Sequence, residues 1–369
     1  MLLSRLAENI YWAGRYLERA EDTARLVKVH TELYLDLPQA TSMGWNPLLA
    51  VTGSGDAYDE HVRLNGADAD LSEELRVVTF LTTSPDNPSS VLSCLNAARA
   101  NLRSVRALLP RSGWEQVNHL HLWARDTQGK AVPRRSRTEW ANDLIRKCQT
   151  VTGLLSGTMS HDESYRFLQV GRHLERADMT TRVLDVQAHV LLQQITAGST
   201  YADVTWMSVL KSLSAMQMFR RVARAGVSGS RALNFLLCDR EFPRSVAHCL
   251  VELDRGLRLL PNSATVITAV GDALIRLDRA DLDVHLKAMA PAELHDFMDR
   301  LQTDIGHVHA TAFDTWFAPP PVTLPEPDPV TATTDSTPTA PAGASQSQSV
   351  GNGQQTQRQS ASRAVPSST

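Results

Sequence analysis

The chain has 369 residues, enough for two average domains or one large one, and 42% of them are hydrophobic, which can supply a sizeable core. A formal net charge of −3 provides no overall attraction to nucleic acid or to an anionic membrane, so nucleic-acid binding is disfavoured. No run of about 18 apolar residues predicts a membrane-spanning helix.

The N-terminal stretch MLLSRLAENIYW is too short and too charged for a secretion signal, because Arg5 and Glu8 follow three apolar residues. The cysteines lie far apart in apolar, helix-like stretches, without a CxxC or a Cys/His metal spacing. We therefore expect a cytoplasmic protein without a membrane partner. Its buried structural thiols would be Cys94, Cys148, Cys238 and Cys249.

Apolar residues recur at spacings of three and four through most of residues 1–318, which predicts an all-α helical bundle. In the first helix the apolar stripe consists of Leu6, Ile10, Ala13, Leu17, Ala20, Ala24 and Val27. Further helices are predicted at about 70–81, 88–109, 139–156, 163–196, 204–224, 228–238, 243–260, 263–280 and 291–314. Turn residues separate the helices, at 37–45, 52–56, 125–137, 196–200 and 259–262.

The composition changes sharply after Phe317. Residues 319–369 contain no Phe, Trp, Tyr or Cys and are dominated by Pro, Thr, Ser, Gln and Ala. Such a segment cannot bury enough apolar surface to offset the entropy of ordering it. We predict a disordered C-terminal tail, with a docking role as the less favoured alternative.

The phrase GRYLERAEDTARLV at 14–27 recurs as GRHLERADMTTRVL at 171–184. An internal repeat is the simplest explanation, and it predicts two related helical halves at about 1–158 and 159–318. Gly14 and Gly171 lie in the middle of these helices, where glycine costs about 1 kcal/mol relative to alanine. The glycines therefore indicate that another backbone passes close by.

Charged residues follow the apolar stripe in both copies. In the first copy Arg15 can meet Glu18 and Asp22 can meet Arg25, because residues three or four apart are neighbours on a helix. The corresponding positions of the second copy are Arg172, Glu175, Met179 and Arg182. Three interpretations remain open: a paired structural network, a site for a ligand or partner, and an exposed charged face.

The two phrases, within LSRLAENIYWAGRYLERAEDTARL and FLQVGRHLERADMTTRVL, resemble the alpha-E domain family. Further matching stretches are DNPSSV at 86–91, AARANLR at 97–103, the helix around Trp206 and NFLLCDREFPRSV at 234–246. The resemblance covers about 1–315. Tyr165 departs from the family pattern, in which a Trp is expected before the second phrase.

The resemblance implies a bacterial all-helical domain of unknown function with a repeated Glu-Arg motif. Alpha-E proteins are typically encoded beside, or fused to, a circularly permuted ATP-grasp protein and a transglutaminase-like cysteine protease. Those two proteins are the implied partners, in an ATP-dependent system that makes, modifies or removes peptide or amide bonds. The family signature directs attention to Glu18, Arg19, Glu175 and Arg176.

An accessory or binding component without catalytic activity of its own is the favoured hypothesis. Guanidinium groups form planar, bidentate hydrogen bonds, so the repeated arginines could bind a carboxylate or a phosphate. The candidate ligand- or partner-binding residues are Arg15, Glu18, Arg19, Arg25, Arg172, Glu175, Arg176 and Arg182. No cofactor is expected, because GxGxxG, P-loop, HExxH and GxSxG motifs do not occur.

Two alternatives remain. An enzyme could use Glu18 or Glu175 as acid or base, although neighbouring arginines lower the pKa of a carboxyl group. The protein could also be a structural scaffold with an internal ion-pair network. The carboxylates spaced i, i+3, as in Glu18 with Glu21, resemble a dimetal site, but no histidine accompanies them and we expect no metal.

Two further stretches are predicted to lie at the surface. HLHLW at 119–123 and GHVH at 306–309 place histidines at i, i+2, which point to different sides of a helix and do not easily bind one ion. We interpret these histidines as surface or cap residues. PRRSR at 133–137 is interpreted as a short solvated basic loop.

Overall fold

The computed structural model describes residues 2–36, 44–66, 71–196, 202–223, 226–280 and 291–318. These residues form α-helices without a β-strand, which confirms the predicted all-α class. The predicted tail at 319–369 lies outside the described residues. The helices are α1 Ser4–Asp36, α2 Asn46–Val51, α3 Gly55–Asn65, α4 Glu73–Thr82, α5 Val91–Ser104, α6 Arg111–Asp126, α7 Arg134–Thr158, α8 Glu163–Thr196, α9 Ala202–Ser212, α10 Met216–Val222, α11 Gly229–Cys238, α12 Val246–Leu257, α13 Ala264–Arg279 and α14 Pro291–Trp316.

The long helices α1 and α8 pack along each other at the centre of the bundle. They run in the same direction, since Gly14 lies against Leu168 and Arg19 against Glu175 further along both helices. Helices α5 and α7 pack against α1, and α12 and α14 pack against α8. Helix α6 contacts α5 and α7, as α13 contacts α12 and α14. The predicted division of the whole chain into two related halves stays a prediction.

The apolar stripe of α1 forms the centre of the core, as a helix with a 3–4 spacing of apolar residues requires. From Ile10 to Val27 the stripe is buried, and Leu6 at its start is partly buried. On α8 the facing positions are also buried, at Phe167, Val170, Leu174 and Ala177. Burial of these two stripes against each other and against the surrounding helices is the main hydrophobic contribution to the fold.

The two glycines of the repeated phrase lie where α1 and α8 approach most closely. A Cβ atom at Gly14 would come within 3.0 Å of the backbone oxygen of Leu168. A Cβ atom at Gly171 would come equally close to the backbone oxygen of Tyr11. Backbone atoms cannot move aside as a flexible side chain does, so both positions require glycine at this helix separation.

The structure differs from the predicted elements at several places. The predicted helix at 204–224 is wrong, because the chain turns at Ser214, which has a φ of 53°, and forms α9 and α10 instead. Helices α2 and α3 occupy stretches near the predicted turns at 37–45 and 52–56, and α6 was not predicted. Their apolar residues are few or interrupted by polar ones, so periodicity alone does not reveal them.

None of the described helices combines the length and the apolar character that crossing a membrane requires. Three of the cysteines, Cys94, Cys148 and Cys249, are buried as expected, whereas Cys238 is only partly buried. Burial raises the pKa of Cys94 to about 12, so this thiol stays protonated at neutral pH.

Replacing Gly14 or Gly171 with alanine should lower the free energy of unfolding by about 1–3 kcal/mol or more, because the new methyl group would collide with a carbonyl of the facing helix. Urea denaturation measures this change. The control is Gly153→Ala on α7, where an added Cβ meets no atom within 4 Å; it should leave stability unchanged or raise it by up to about 1 kcal/mol. Equal stability of the three variants would contradict a spacing role for the two glycines.

Candidate functional site

Glu175 of α8 is bound by two arginines of α1. Arg15 Nε donates to Glu175 Oε2 at 2.7 Å, and Arg19 Nε donates to Glu175 Oε1 at 2.5 Å. A further bond runs from Arg19 Nη2 to Glu175 Oε2 at 3.0 Å. The predicted pairing of Arg15 with Glu18 inside one helix is therefore wrong. The close approach at the glycines brings the opposite helix within reach and keeps Glu175 away from water.

Glu18 of α1 is bound in the same way by α8. Arg172 Nε donates to Glu18 Oε2 at 3.1 Å, and Arg176 Nε donates to Glu18 Oε1 at 2.6 Å. These are the atoms that Arg15 and Arg19 use toward Glu175. The Glu175 cluster and the Glu18 cluster are thus related by exchange of α1 and α8. The sequence predicted that the Arg and Glu groups of the two copies meet near a shared helix interface, and the structure identifies which arginine binds which glutamate.

Arg244 adds a third arginine to the Glu18 cluster. It lies between α11 and α12, and its Nη2 atom is 2.8 Å from Glu18 Oε1 and 3.0 Å from Glu21 Oε1. Its Nη1 atom donates to Asp22 Oδ1 at 2.6 Å. The stretch NFLLCDREFPRSV, which contains Arg244, contributed to the family resemblance, but nothing in the sequence showed that this side chain reaches α1.

Two pairs within single helices complete the clusters. Arg25 donates to Asp22 Oδ1 at 2.7 Å, as predicted, and also to Glu21. On α8, Arg182 donates to Asp178 Oδ1 at 3.0 Å. Arg25 is buried, whereas the side chain of Arg182 is about one third exposed. The pair on α1 therefore belongs to the interior, and the pair on α8 lies toward the surface.

The arginines keep both central glutamates ionised. Burial alone would raise the pKa of Glu175, but Arg15 and Arg19 lower it to about 2. Burial acts on Glu18 in the same direction, and Arg176, Arg244 and Arg172 together hold its pKa well below the usual range. A general acid must carry a proton at the working pH, and a good base needs a pKa near it. Neither glutamate meets either condition.

Asp22 differs from the two central glutamates. Burial raises the pKa of Asp22 to about 6, since the pull of Arg244 is opposed by the nearby carboxylates of Glu18 and Glu21. Its Oδ2 atom is buried without a hydrogen-bond partner among the described residues. Arg25 and Arg244 thus both bind one oxygen of Asp22 and leave the other without a partner, whereas both oxygens of Glu18 and of Glu175 accept hydrogen bonds.

The two clusters reach the surface at Arg19 and Arg172. The exposed fraction of their side chains is 21% and 20%, compared with 8% for Arg15, Arg176 and Arg244. The second terminal nitrogen of Arg19, Nη1, donates to the hydroxyl of Ser89 over 3.3 Å. Positive charge is consequently presented outward, while the carboxylates of Glu18 and Glu175 stay inside.

His309 and Tyr11 cover the inner side of the Glu175 cluster. The hydroxyl of Tyr11 is 2.7 Å from His309 Nδ1, and the two rings are stacked. Burial and the nearby Arg15 lower the pKa of His309 to about 4, so the imidazole is neutral and can accept this bond. The interpretation of His309 as a surface or cap residue is therefore wrong, since its ring packs against α1.

A separate buried ion pair lies at the other end of α1. Arg137 of α7 is fully buried, and its Nη1 atom donates to Glu74 Oε1 at 2.7 Å and to the hydroxyl of Thr31 at 3.2 Å. Arg134 also donates to Glu74. The prediction that PRRSR forms a solvated loop is wrong, because α7 begins at Arg134 and turns Arg137 into the interior.

One group among the described residues has the composition of a metal site, namely Asp185, His295 and Asp299. His295 Nδ1 is 2.6 Å from Asp185 Oδ1, and its other nitrogen faces Asp299 over 3.6 Å. The two aspartates thus face different nitrogens of one imidazole ring, which is the arrangement of an ion-paired histidine. The group does not include residues of the repeated phrase.

The comparison with known families explains why these residues stand out. Residues 2–317 match the Alpha-E family, described as a predicted alpha-helical domain with a conserved ER motif. The chain belongs to the Alpha-E family. Adjacent Glu and Arg residues occur in the repeated phrase as Glu18-Arg19 and Glu175-Arg176, and the structure brings these two pairs together across α1 and α8.

Similar proteins occur in mycobacteria. Uncharacterized proteins of Mycobacterium bovis and of two strains of Mycobacterium tuberculosis are each 23% identical over 337 residues. The alignment covers 84% of this chain and 36% of each relative, so the Alpha-E chain spans about a third of the length of these curated relatives. No solved structure matches the chain.

Replacing Glu175 with glutamine should lower the free energy of unfolding at neutral pH. This free energy should then fall less steeply than that of wild type as the pH is lowered. A carboxyl group with a folded pKa of about 2 stabilises the fold above its ordinary pKa of about 4.5, and this contribution, about 3 kcal/mol, is lost as the pH falls toward 2. Urea denaturation between pH 3 and pH 7 measures the slope. The control Glu115→Gln, in an exposed pair with Arg111, should keep the wild-type slope. A wild-type slope in Glu175→Gln would contradict the assignment.

Two equivalent threonines of the repeated phrase make different contacts. Thr180 donates to the backbone oxygen of Arg244 at 2.9 Å. Thr23 is fully buried, and its hydroxyl has no partner among the described residues. Thr180→Val should therefore lower the free energy of unfolding by about 1 kcal/mol, whereas Thr23→Val should not lower it. Thermal denaturation of both variants checks this difference, and an equal loss in both would contradict it.

Proposed function

We propose that this Alpha-E domain is an accessory or binding component of an ATP-grasp-linked system that makes or modifies peptide or amide bonds. In this role it has no catalytic activity of its own. Its repeated motif binds an anionic group, a carboxylate or a phosphate, of a ligand or a partner protein. The circularly permuted ATP-grasp protein and the transglutaminase-like protein of the family context are the proposed partners.

The observation that supports this function is the unbalanced positive charge at Arg19 and Arg172. Counting the ion pairs of the described residues, three arginines face two carboxylates in the Glu175 cluster, namely Arg15, Arg19 and Arg182 with Glu175 and Asp178. Four arginines face three carboxylates in the Glu18 cluster, namely Arg25, Arg172, Arg176 and Arg244 with Glu18, Glu21 and Asp22. Each cluster thus has one surplus guanidinium. The arginines that reach the surface are Arg19 and Arg182 in the Glu175 cluster and Arg172 in the Glu18 cluster.

The low pKa values of the central glutamates argue against the catalytic alternative. Glu18 and Glu175 are buried, their oxygens accept hydrogen bonds from arginines, and neither carries a proton at neutral pH. A substrate would have to displace an arginine to reach either carboxylate. Acid–base catalysis by these residues would therefore require breaking the contacts that hold α1 and α8 together.

A purely structural scaffold is the second candidate, and the reciprocal pairing favours it. Residues that neutralise each other inside the bundle need no ligand, and removing one partner of a buried pair is strongly destabilising. This interpretation accounts for Arg15, Arg176 and Arg244. It leaves the exposed edges of Arg19 and Arg172 without a role, which is why we place binding first.

The length of the relatives supports a role as one component among others. In the mycobacterial proteins the matched region is about a third of the chain, so related sequences occur together with further protein segments. A domain that functions together with other protein segments needs a surface that contacts them. The outward-facing guanidinium groups provide a charged part of that surface.

The test is a pull-down of the circularly permuted ATP-grasp protein from the same genome by wild type and by an Arg19→Met/Arg172→Met variant. Methionine keeps the apolar volume of the arginine stem and removes the charge. Arg15 still binds Glu175, and Arg176 and Arg244 still bind Glu18, so the variant should remain folded by circular dichroism. We expect at least a tenfold loss of binding. The matched control is Arg111→Met, an exposed arginine on α6, which should bind as wild type does.

Wild-type binding by the folded double variant would contradict the proposal that the motif contributes to docking. A variant that unfolds would instead favour the scaffold, and the single variants Arg19→Met and Arg172→Met would then be compared. An equal loss in the Arg111→Met control would show that binding depends on general surface charge and would likewise contradict a role for the motif.

A further inference from the structure

The segment before α5 corresponds to the segment before α12. TFLTTSPDNPSSV at 79–91 aligns with NFLLCDREFPRSV at 234–246, so that Ser89 is equivalent to Arg244. The structure supports this alignment, because Ser90 and Ser245 cap α5 and α12 through the same side-chain hydrogen bond. Each helix also directs a buried thiol at the preceding proline carbonyl, from Cys94 and Cys249.

Position 244 closes the Glu18 cluster. The side chain of Arg244 is 8% exposed and lies against Glu18, Glu21 and Asp22. Its backbone oxygen accepts the hydrogen bond from Thr180. With Arg244 in place, the side chain of Arg176 is also only 8% exposed.

Position 89 leaves the Glu175 cluster open. Ser89 is too short to reach Glu175, and Met179 stands at the position equivalent to Asp22, so the arginine and the aspartate of the other cluster are replaced together. Arg19, the equivalent of Arg176, is 21% exposed. Thr23, the equivalent of Thr180, is fully buried without a partner among the described residues.

We propose that the two clusters have different roles: the Glu18 cluster is structural, and the Glu175 cluster binds the anionic oxygen of a ligand at Arg19, Ser89 and Thr23. This inference rests on the proposed function and names the cluster that performs it. The polar groups that carry this proposal are Arg19 Nη1, which donates to the neutral hydroxyl of Ser89 over 3.3 Å, and the hydroxyl of Thr23, which is buried without a partner among the described residues. In the Glu18 cluster Thr180 and Arg244, the equivalents of Thr23 and Ser89, form hydrogen bonds within the protein.

The ligand group is small and negatively charged. A guanidinium edge beside two hydroxyl groups donates hydrogen bonds to several oxygens of one anion, as a phosphate or a carboxylate provides. The surplus positive charge of the Glu175 cluster is then compensated by the ligand. In the Glu18 cluster the side chain of Arg244 occupies the equivalent position and is paired with Asp22 within the chain.

The experiment titrates the full chain with inorganic phosphate and, separately, with acetate at constant ionic strength, and follows the arginine Nε signals by NMR. The two probes distinguish a phosphate from a carboxylate preference. We expect saturable binding of at least one probe, weakened at least tenfold by Arg19→Met and changed less than twofold by Arg172→Met. Thr23→Val should weaken binding several-fold without lowering the melting temperature.

A transplant tests the role of position 89 directly. Ser89→Arg combined with Met179→Asp installs the arginine and the aspartate of the closed cluster, and it should abolish binding of the probe. Should this variant fail to fold, the comparison of Arg19→Met with Arg172→Met decides the question. The control Arg111→Met should bind the probe as wild type does.

The outcomes separate this inference from the proposed function. Binding that is lost in Arg172→Met and kept in Arg19→Met would overturn the assignment to the Glu175 cluster and leave anion binding by the motif standing. No saturable binding of either probe by wild type would overturn the inference together with anion binding. Binding that survives in the folded Ser89→Arg/Met179→Asp variant would show that position 89 does not line the site.

Discussion

The structure depends on two glutamates that are buried between parallel helices and neutralised by arginines of the opposite helix. A buried carboxylate without a partner costs several kcal/mol, so Glu18 and Glu175 permit few arrangements of α1 and α8. Sliding one helix along the other would separate each glutamate from its arginines. We infer that these pairs specify the register of α1 and α8, whereas the apolar stripes supply most of the free energy of packing.

Gly14 and Gly171 make this arrangement possible because they let the backbones approach closely enough for the arginines to cross. Two further arginines, from segments that are distant in the sequence, also contact α1. Arg244 comes from the segment before α12, and Arg137 comes from the first turn of α7. Arg244 connects α1 to the segment before α12 by an ion pair. Arg137 instead pairs with Glu74 of α4 and reaches α1 through its hydrogen bond to Thr31.

The ion pairs of the two clusters determine what chemistry their carboxylates and arginines can perform. Carboxylates with a strongly lowered pKa are poor acids and poor bases, and arginines held by buried carboxylates are rigid donors for an external anion. These properties support the proposal that the Alpha-E domain recognises a charged group rather than transforming it. In the proposed division of roles, Arg244 closes the cluster at one copy of the repeated phrase and Ser89 leaves the other cluster accessible.

The sequence by itself determined the all-α class, the apolar stripes, the repeated Gly-Arg-Glu-Arg phrase and the Alpha-E family, because these depend on local spacing and residue identity. It also indicated the pair of Asp22 with Arg25, which are neighbours on one helix. The tertiary structure alone decided that Arg15 binds Glu175, that His309 meets Tyr11, and that Arg137 is buried. These partners are separated by 63 to 298 positions along the chain. A pattern within one helix shows which face is charged, but the partner of each charge depends on which other helix passes close to it.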